Sequence, residues 1–275
     1  MAWGIIAAVF LLLIFAYIFQ VAPFFIKRKR DFSSFKVKAY AHRGLHDVSA
    51  GIPENSLAAF RRAKEKGYGV ELDVFLTSDG HMVVHHDRSL KRICGMDRNI
   101  DQMTLEEVRA LTLSGTDERI PTLDEVLSLI DGKIPMIIEM KSDRGPMARA
   151  LPPVLHARMQ QYQGPYCVES FDPFMLHWYK KHAHQVIRGQ LCYDQRRAEG
   201  KYESLFMFFY AHMPMNLLSR PDFLAYEYRS RRNFSFRLVS CLFRPLLVAW
   251  TVRDQQTYNQ LQSTFDWQIF EGFEP

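Results

Sequence analysis

From Ala2 to Ile26 the chain is apolar, carries no charge and is interrupted by one polar side chain, Gln20. As a helix this stretch reaches roughly 37 Å at ~1.5 Å per residue, more than the ~30 Å hydrocarbon core of a bilayer. Pro23 marks where it stops or kinks, and Lys27, Arg28, Lys29 and Arg30 follow. The pattern predicts one transmembrane helix, with 1–30 as anchor and basic juxtamembrane segment. A cleavable signal peptide is the competing reading, but it calls for a basic start and a shorter apolar run, and Met1-Ala2-Trp3 has no basic side chain. By the positive-inside rule the four basic residues stay in the cytoplasm. The expectation is therefore a single-pass membrane protein with residues 31–275 on the cytoplasmic side, near anionic lipid heads.

After Asp31 the pattern changes. Short apolar runs alternate with helix-length segments. Strands are predicted at 37–41, 69–76, 81–86, 134–140, 166–169, 186–191, 222–226 and 246–252. Helices are predicted at 55–66, 105–111, 123–130, 145–161, 173–182 and 254–264. Such alternation argues for an α/β fold with a mostly parallel sheet. Eight strands over this length suit a (β/α)8 TIM-type barrel. A doubly wound open sheet is disfavoured, because no glycine-rich dinucleotide fingerprint follows the first strand. The segment from Tyr202 to Arg244 is dense in Phe, Tyr, Leu and Arg. Its plain reading is a buried helix with a solvated basic turn, and a lid or a face resting on lipid is the alternative.

Composition narrows the class. The chain is 48% hydrophobic and 24% charged, which excludes a disordered chain or a fibre. Its net charge of +5 is too small to argue for nucleic acid. Cys94, Cys167, Cys192 and Cys241 are widely spaced with no CxxC pair, and read as free thiols in a reducing compartment.

The chemistry-bearing residues cluster at the predicted strand ends, where barrel enzymes keep their sites. Glu71 and Asp73 share one face of the second strand, since side chains alternate along a strand. With Glu139 from the fourth they make an oxygen-rich site for a hard divalent cation. Read as a two-residue turn, Asp79-Gly80 pairs Asp73 with His86 and brings an imidazole to that site. His42 and His86 then form a candidate acid–base pair, because imidazole titrates near neutral pH. Arg43 and Lys141 supply positive charge for phosphate oxygens. His85 points the other way and reads as structural. In Pro53-Glu54-Asn55-Ser56, Asn55 or Ser56 is expected to cap the following helix.

Nine short motifs now stand in order. They are His42-Arg43-Gly44, Pro53-Glu54-Asn55-Ser56, Glu71-Leu72-Asp73-Val74, Thr77-Ser78-Asp79-Gly80, Val83 through Asp87, Ile120-Pro121-Thr122-Leu123, Glu139-Met140-Lys141, Ser170-Phe171 and Trp250-Thr251-Val252. Together they resemble the glycerophosphodiester phosphodiesterase family, within the phospholipase C-like barrels, over roughly residues 39 to 275. The resemblance implies a TIM-type barrel that hydrolyses glycerophosphodiesters to glycerol 3-phosphate and an alcohol. It assigns Glu71, Asp73 and Glu139 to one Mg2+ or Ca2+ ion, and His42 and His86 to acid–base catalysis. It gives Arg43 and Lys141 to the phosphate, and places Phe171 and Trp250 on the pocket wall. The family's closing Thr-Asp-x-Pro is replaced by Phe270-Glu271-Gly272-Phe273-Glu274-Pro275, so the resemblance carries no role for Glu271. Membrane-tethered relatives include enzymes that cut lysophospholipids at the same bond, which makes a membrane lysolipid the alternative substrate. An inactive membrane-bound adaptor on the same scaffold is the alternative from another class.

Overall fold

The computed structural model describes residues 2–24, 30–141, 146–196, 200–201 and 204–275. Lys27, Arg28 and Lys29, the predicted helix start at Gly145, and Tyr202 lie outside the described residues.

Nine strands form one sheet: β1 Ala39–His42, β2 Gly69–Leu76, β3 Met82–Val84, β4 Met136–Met140, β5 Tyr166–Ser170, β6 Arg188–Cys192, β7 Phe223–Glu227, β8 Leu246–Val252 and β9 Trp267–Phe270. All except β3 run parallel, and β1 pairs with both β2 and β9, so eight strands close into a barrel with helices around it. The predicted TIM-type barrel is the observed fold. The predicted 81–86 strand shortens to β3, which pairs antiparallel with β2, as a hairpin turn at Asp79-Gly80 implies, and stands outside the closed ring. The eighth barrel strand is β9, a four-residue segment too short to announce its period.

Alternation along the strands sorts side chains into two layers. Val70, Leu72, Val74, Met136, Ile138 and Met140 face outward and are sealed beneath the helices. Complete burial of an aliphatic side chain of this size contributes about 1.5–3 kcal/mol. Tyr40, Ile137, Cys167, Phe223, Val248 and Trp267 fill the barrel interior. The chain after the first helix closes the amino-terminal mouth: Phe35 stacks on Trp267 at 5.1 Å and Phe32 meets the same ring edge-on at 5.7 Å. Arg30 anchors this segment by donating from Nε to Asp222 Oδ1 at 2.9 Å. Arg30 is thus engaged with the barrel floor rather than offered to lipid heads.

The surrounding helices start on local signals. Ser56 Oγ accepts from Ala59 N at 3.1 Å and caps the Leu57–Lys66 helix, an arrangement that contributes about 1 kcal/mol. Thr122 and Glu125 form a capping box on the Leu123–Ile130 helix.

The first helix spans Ala2–Val21 and is the one described helix long and apolar enough to cross a membrane. Residues 2–16 are exposed along its whole circumference. Its last turn docks on the barrel: Tyr17 Oη lies 2.6 Å from Ser235 Oγ, Asn216 Nδ2 donates to Val21 O at 2.7 Å and Arg220 Nη1 to Ala22 O at 2.6 Å.

Candidate active site

At the carboxyl ends of the strands the inward positions become polar. His42 ends β1, Glu71 and Asp73 lie on β2, Glu139 on β4, Glu169 on β5, Glu227 on β7 and Trp250 on β8. The apolar interior below denies these groups water, and the pocket above is their opening to solvent. That pocket has a volume of about 590 Å3, and its wall includes His42, Arg43, Glu71, His86, Glu139, Lys141, Phe171 and Trp250. Asp73 lies beneath its floor, fully buried. Phe171 and Trp250 meet edge-to-face at 5.7 Å on one side.

Glu71, Asp73 and Glu139 each bring a carboxylate oxygen within 4.8 Å of the others. Burial of like charges at this spacing is costly unless cations share the site. Two cations come from the chain. Lys141 Nζ lies 3.0 Å from both Asp73 Oδ1 and Glu139 Oε1, and Arg43 Nε lies 3.6 Å from Asp73 Oδ2. Burial works against the Asp73 charge, but Lys141, His86 and Arg43 outweigh it and hold the carboxyl far below its ordinary range. Compensation is incomplete elsewhere. Burial pushes Glu139 up to about 7 against the pull of Lys141. Burial, reinforced by Asp73, Glu139 and Glu169, drives Glu71 well above its usual value. Glu169 also rises, through burial and then Glu139, and its Oε2 is buried with no hydrogen-bond partner. A surplus of buried carboxylate with an orphaned oxygen beside it matches the oxygen ligands that a hard divalent cation takes. The cluster could hold one.

His42 Nδ1 lies 3.0 Å from Glu271 Oε2, and Glu271 also pairs with Arg253 at 3.0 Å. Burial pushes the His42 imidazole down to about 4, against the Glu271 hydrogen bond. His86 Nδ1 lies 2.6 Å from Asp87 Oδ1. Asp87 Oδ2 accepts from Arg92 Nε at 2.5 Å, and Arg92 and Arg43 both donate to Glu54. Each imidazole is therefore oriented through Nδ1 by a carboxylate, and His42 Nε2 lies 4.0 Å from Glu71 Oε2.

The route by which His86 reaches this pocket differs from the expected one. The β2–β3 register pairs Val74 with Val84 and Phe75 with Val83, and His85 N donates to Asp73 O at 3.0 Å, so His85 stands opposite Asp73. The link is a three-residue turn in which Gly80 takes the left-handed conformation at φ 82° after Ser78-Asp79. That geometry adds one residue relative to the two-residue turn. The ladder ends at Val84, and the chain beyond it is free to turn His86 toward the mouth while His85 stays buried. Likewise Ser56 does the capping, and Asn55 instead donates from Nδ2 to Asp73 Oδ2 at 2.9 Å. Asn55 reaches it from a left-handed backbone at φ 55°.

Comparison with known proteins places this arrangement. The model of the glycerophosphoryl diester phosphodiesterase family matches residues 42–236.

The chain belongs to this family.

A glycerophosphodiester phosphodiesterase of Caldanaerobacter subterraneus is 44% identical over 115 residues, covering 39% of this chain and 46% of that protein. Glycerophosphodiester phosphodiesterase 1 of Mus musculus is 34% identical over 163 residues, covering 55% of this chain and 48% of its own. The alignments thus span under half the length of these two relatives. Among solved structures, the glycerophosphodiester phosphodiesterase of Thermotoga maritima superposes with a TM-score of 0.65 at 30% identity, covering 85% of this chain and 94% of that one. A phosphodiesterase of Oleispira antarctica, solved with the product sn-glycerol-3-phosphate, has a TM-score of 0.69 at 24% identity and covers 87% of this chain and 94% of its own.

In this member of the family, three groups were not legible as site residues in the sequence. Glu169 had a signal: it ends a predicted strand and pairs in register with Glu139. Glu54 was seen only as part of a pre-helix motif, yet it ties Arg43 to Arg92. Glu271 follows the unpredicted β9, so nothing local placed it beside His42. Gly44 shows why the His-Arg-Gly motif needs glycine. It sits at φ 79°, and a Cβ there would stand 2.8 Å from Ala59 Cβ.

Proposed function

We propose that the barrel hydrolyses glycerophosphodiesters to glycerol 3-phosphate and an alcohol. The observation that carries this reading is the juxtaposition of two carboxylate-oriented imidazoles with an acidic cluster, Arg43 and Lys141 in one pocket. A phosphodiester is anionic, and Arg43 and Lys141 are placed to bind its oxygens. One imidazole Nε2, of His42 or His86, takes the proton from the glycerol 2-hydroxyl. Its oxygen bonds to phosphorus while the bond to the alcohol oxygen breaks. The other imidazole gives that oxygen a proton, and the alcohol leaves. Water then opens the cyclic phosphate and regenerates both imidazoles. Glu71, Asp73 and Glu139 would hold one Mg2+ or Ca2+, which supplies charge neutralisation for the phosphoryl oxygens. Phe171 and Trp250 wall the pocket and exclude bulk water. His42→Ala should abolish release of glycerol 3-phosphate from glycerophosphodiesters, and unchanged turnover would refute the assignment.

A second substrate has its own support. An apolar groove of about 830 Å3, walled by Phe174, Trp178, Met207 and Met215, shares Phe171 and Tyr193 with the catalytic pocket. A single acyl chain fits such a groove while the phosphodiester sits at the carboxylates. Comparing glycerophosphocholine with lysophosphatidylcholine in mixed micelles tests this, and an untouched lysolipid sinks it. We also read Ala2–Val21 as a single-pass anchor with the barrel in the cytoplasm. A reporter fused to the carboxyl terminus checks the side.

A further inference from the structure

The anchor helix has a direction relative to the barrel. Tyr17 meets Ser235 at the start of the Phe234–Phe243 helix, and that helix begins just beyond the carboxyl end of β7. Phe24 meets Phe243 at the other end of the same helix, 6.2 Å between ring centroids. Arg220, which holds Ala22 O, precedes β7 at the amino-terminal face. The chain therefore descends from the catalytic face to the opposite one between Tyr17 and Phe24. Ala2–Ala16 projects past the face that carries the pocket.

The rim at that face is apolar where it is exposed. Phe174 is 68% exposed, Leu205 72%, Phe208 41% and Phe234 66%. Each lies at or near the start of a helix that follows a barrel strand: Pro173–His182 after β5, Leu205–Ala211 after β6 and Phe234–Phe243 after β7. Arg229 and Arg232, both exposed, stand in the turn just before Phe234. Aromatic rings beside arginines are the composition of a lipid interface. A soluble surface has little reason to show four large apolar side chains at one mouth.

We propose that the catalytic face of the barrel rests on the bilayer, with Phe174, Leu205, Phe208 and Phe234 inserted among the lipids and the pocket opening onto the membrane surface. This rests on reading Ala2–Val21 as a retained anchor. A lipid substrate would then reach Arg43 and Lys141 laterally, its chain sliding along the Phe174–Met215 groove, without entering bulk water. The arginines of the 229–232 turn would meet anionic heads.

The test uses the full chain in phosphatidylcholine–phosphatidylserine vesicles that carry nitroxide-labelled lipids. Cys94 and Cys241 are changed to serine, and a fluorescent label is placed at Leu205→Cys, at Phe234→Cys or, on the opposite face, at Lys133→Cys. Extraction with alkaline carbonate is measured on the same vesicles. The expected result is resistance to carbonate, strong quenching at 205 and 234, and none at 133. A carbonate-resistant chain whose rim labels are quenched no more than the label at 133 overturns the proposal and leaves the anchor standing. A chain released by carbonate overturns the anchor and the proposal with it.

Discussion

Replacement of Glu271 by Gln isolates the least expected contact in the site. Glu271 Oε2 lies 3.0 Å from His42 Nδ1, and among the described residues no other hydrogen bond is made to that imidazole nitrogen. Gln keeps the shape and the acceptor oxygen but removes the charge. A hydrogen bond to a charged partner contributes about 1.5–3 kcal/mol against about 0.5–1.5 for a neutral one, and at 1.36 kcal/mol per decade the difference of about 1–1.5 kcal/mol is roughly 5- to 13-fold in rate. The imidazole bears positive charge only once it has taken the proton, so the loss should fall on kcat, with KM nearly unchanged. Arg253 also loses its partner, but it is more than half exposed, and such pairs contribute little. The assay is steady-state release of glycerol 3-phosphate by the single variant and by the pair with His42→Ala. If Glu271 acts through His42, adding E271Q to H42A costs nothing further. A kcat within two-fold of the parent, or a full second loss on top of H42A, refutes the reasoning.

Glu139→Gln should weaken titratable Mg2+ or Ca2+ binding by calorimetry at least ten-fold while leaving the fold intact, since it removes one of three clustered carboxylates. Gly44→Ala should lower the melting temperature by several degrees, because the new Cβ meets Ala59 at 2.8 Å and the backbone is left-handed. Acid should destabilise the fold through Glu54. Its arginine partners Arg92 and Arg43 outweigh burial and hold it at about 2, below its ordinary 4.5. A lowered folded-state value means stability that is present above the ordinary value and lost as pH falls from about 4.5 toward about 2. Urea midpoints across that window should fall, and Glu54→Gln should flatten the slope; an unchanged slope refutes the linkage.

The parts of the site legible in the sequence were those on single strands. Glu71 and Asp73 share a face because the strand period is two, whatever the barrel around them does. His42, Glu139 and Lys141 could be read as strand ends. The expected partner of Asp73 was wrong by one residue, because an Asp-Gly pair serves both two- and three-residue turns and only the ladder distinguishes them. His86 still arrives at the pocket, through the free chain beyond Val84 rather than through pairing.

By itself, the order of apolar and polar residues determined that the chain alternates strand and helix, carries one long apolar helix and gathers acids, imidazoles and bases at strand ends. Those are local properties, set by side-chain period, propensity and charge. Only the tertiary structure decided that β9 closes the barrel, that Glu271 meets His42 across 229 positions of sequence, and that the apolar helix leaves from the catalytic face. Contacts of such long range depend on how the whole chain closes on itself, and no short window of residues encodes them.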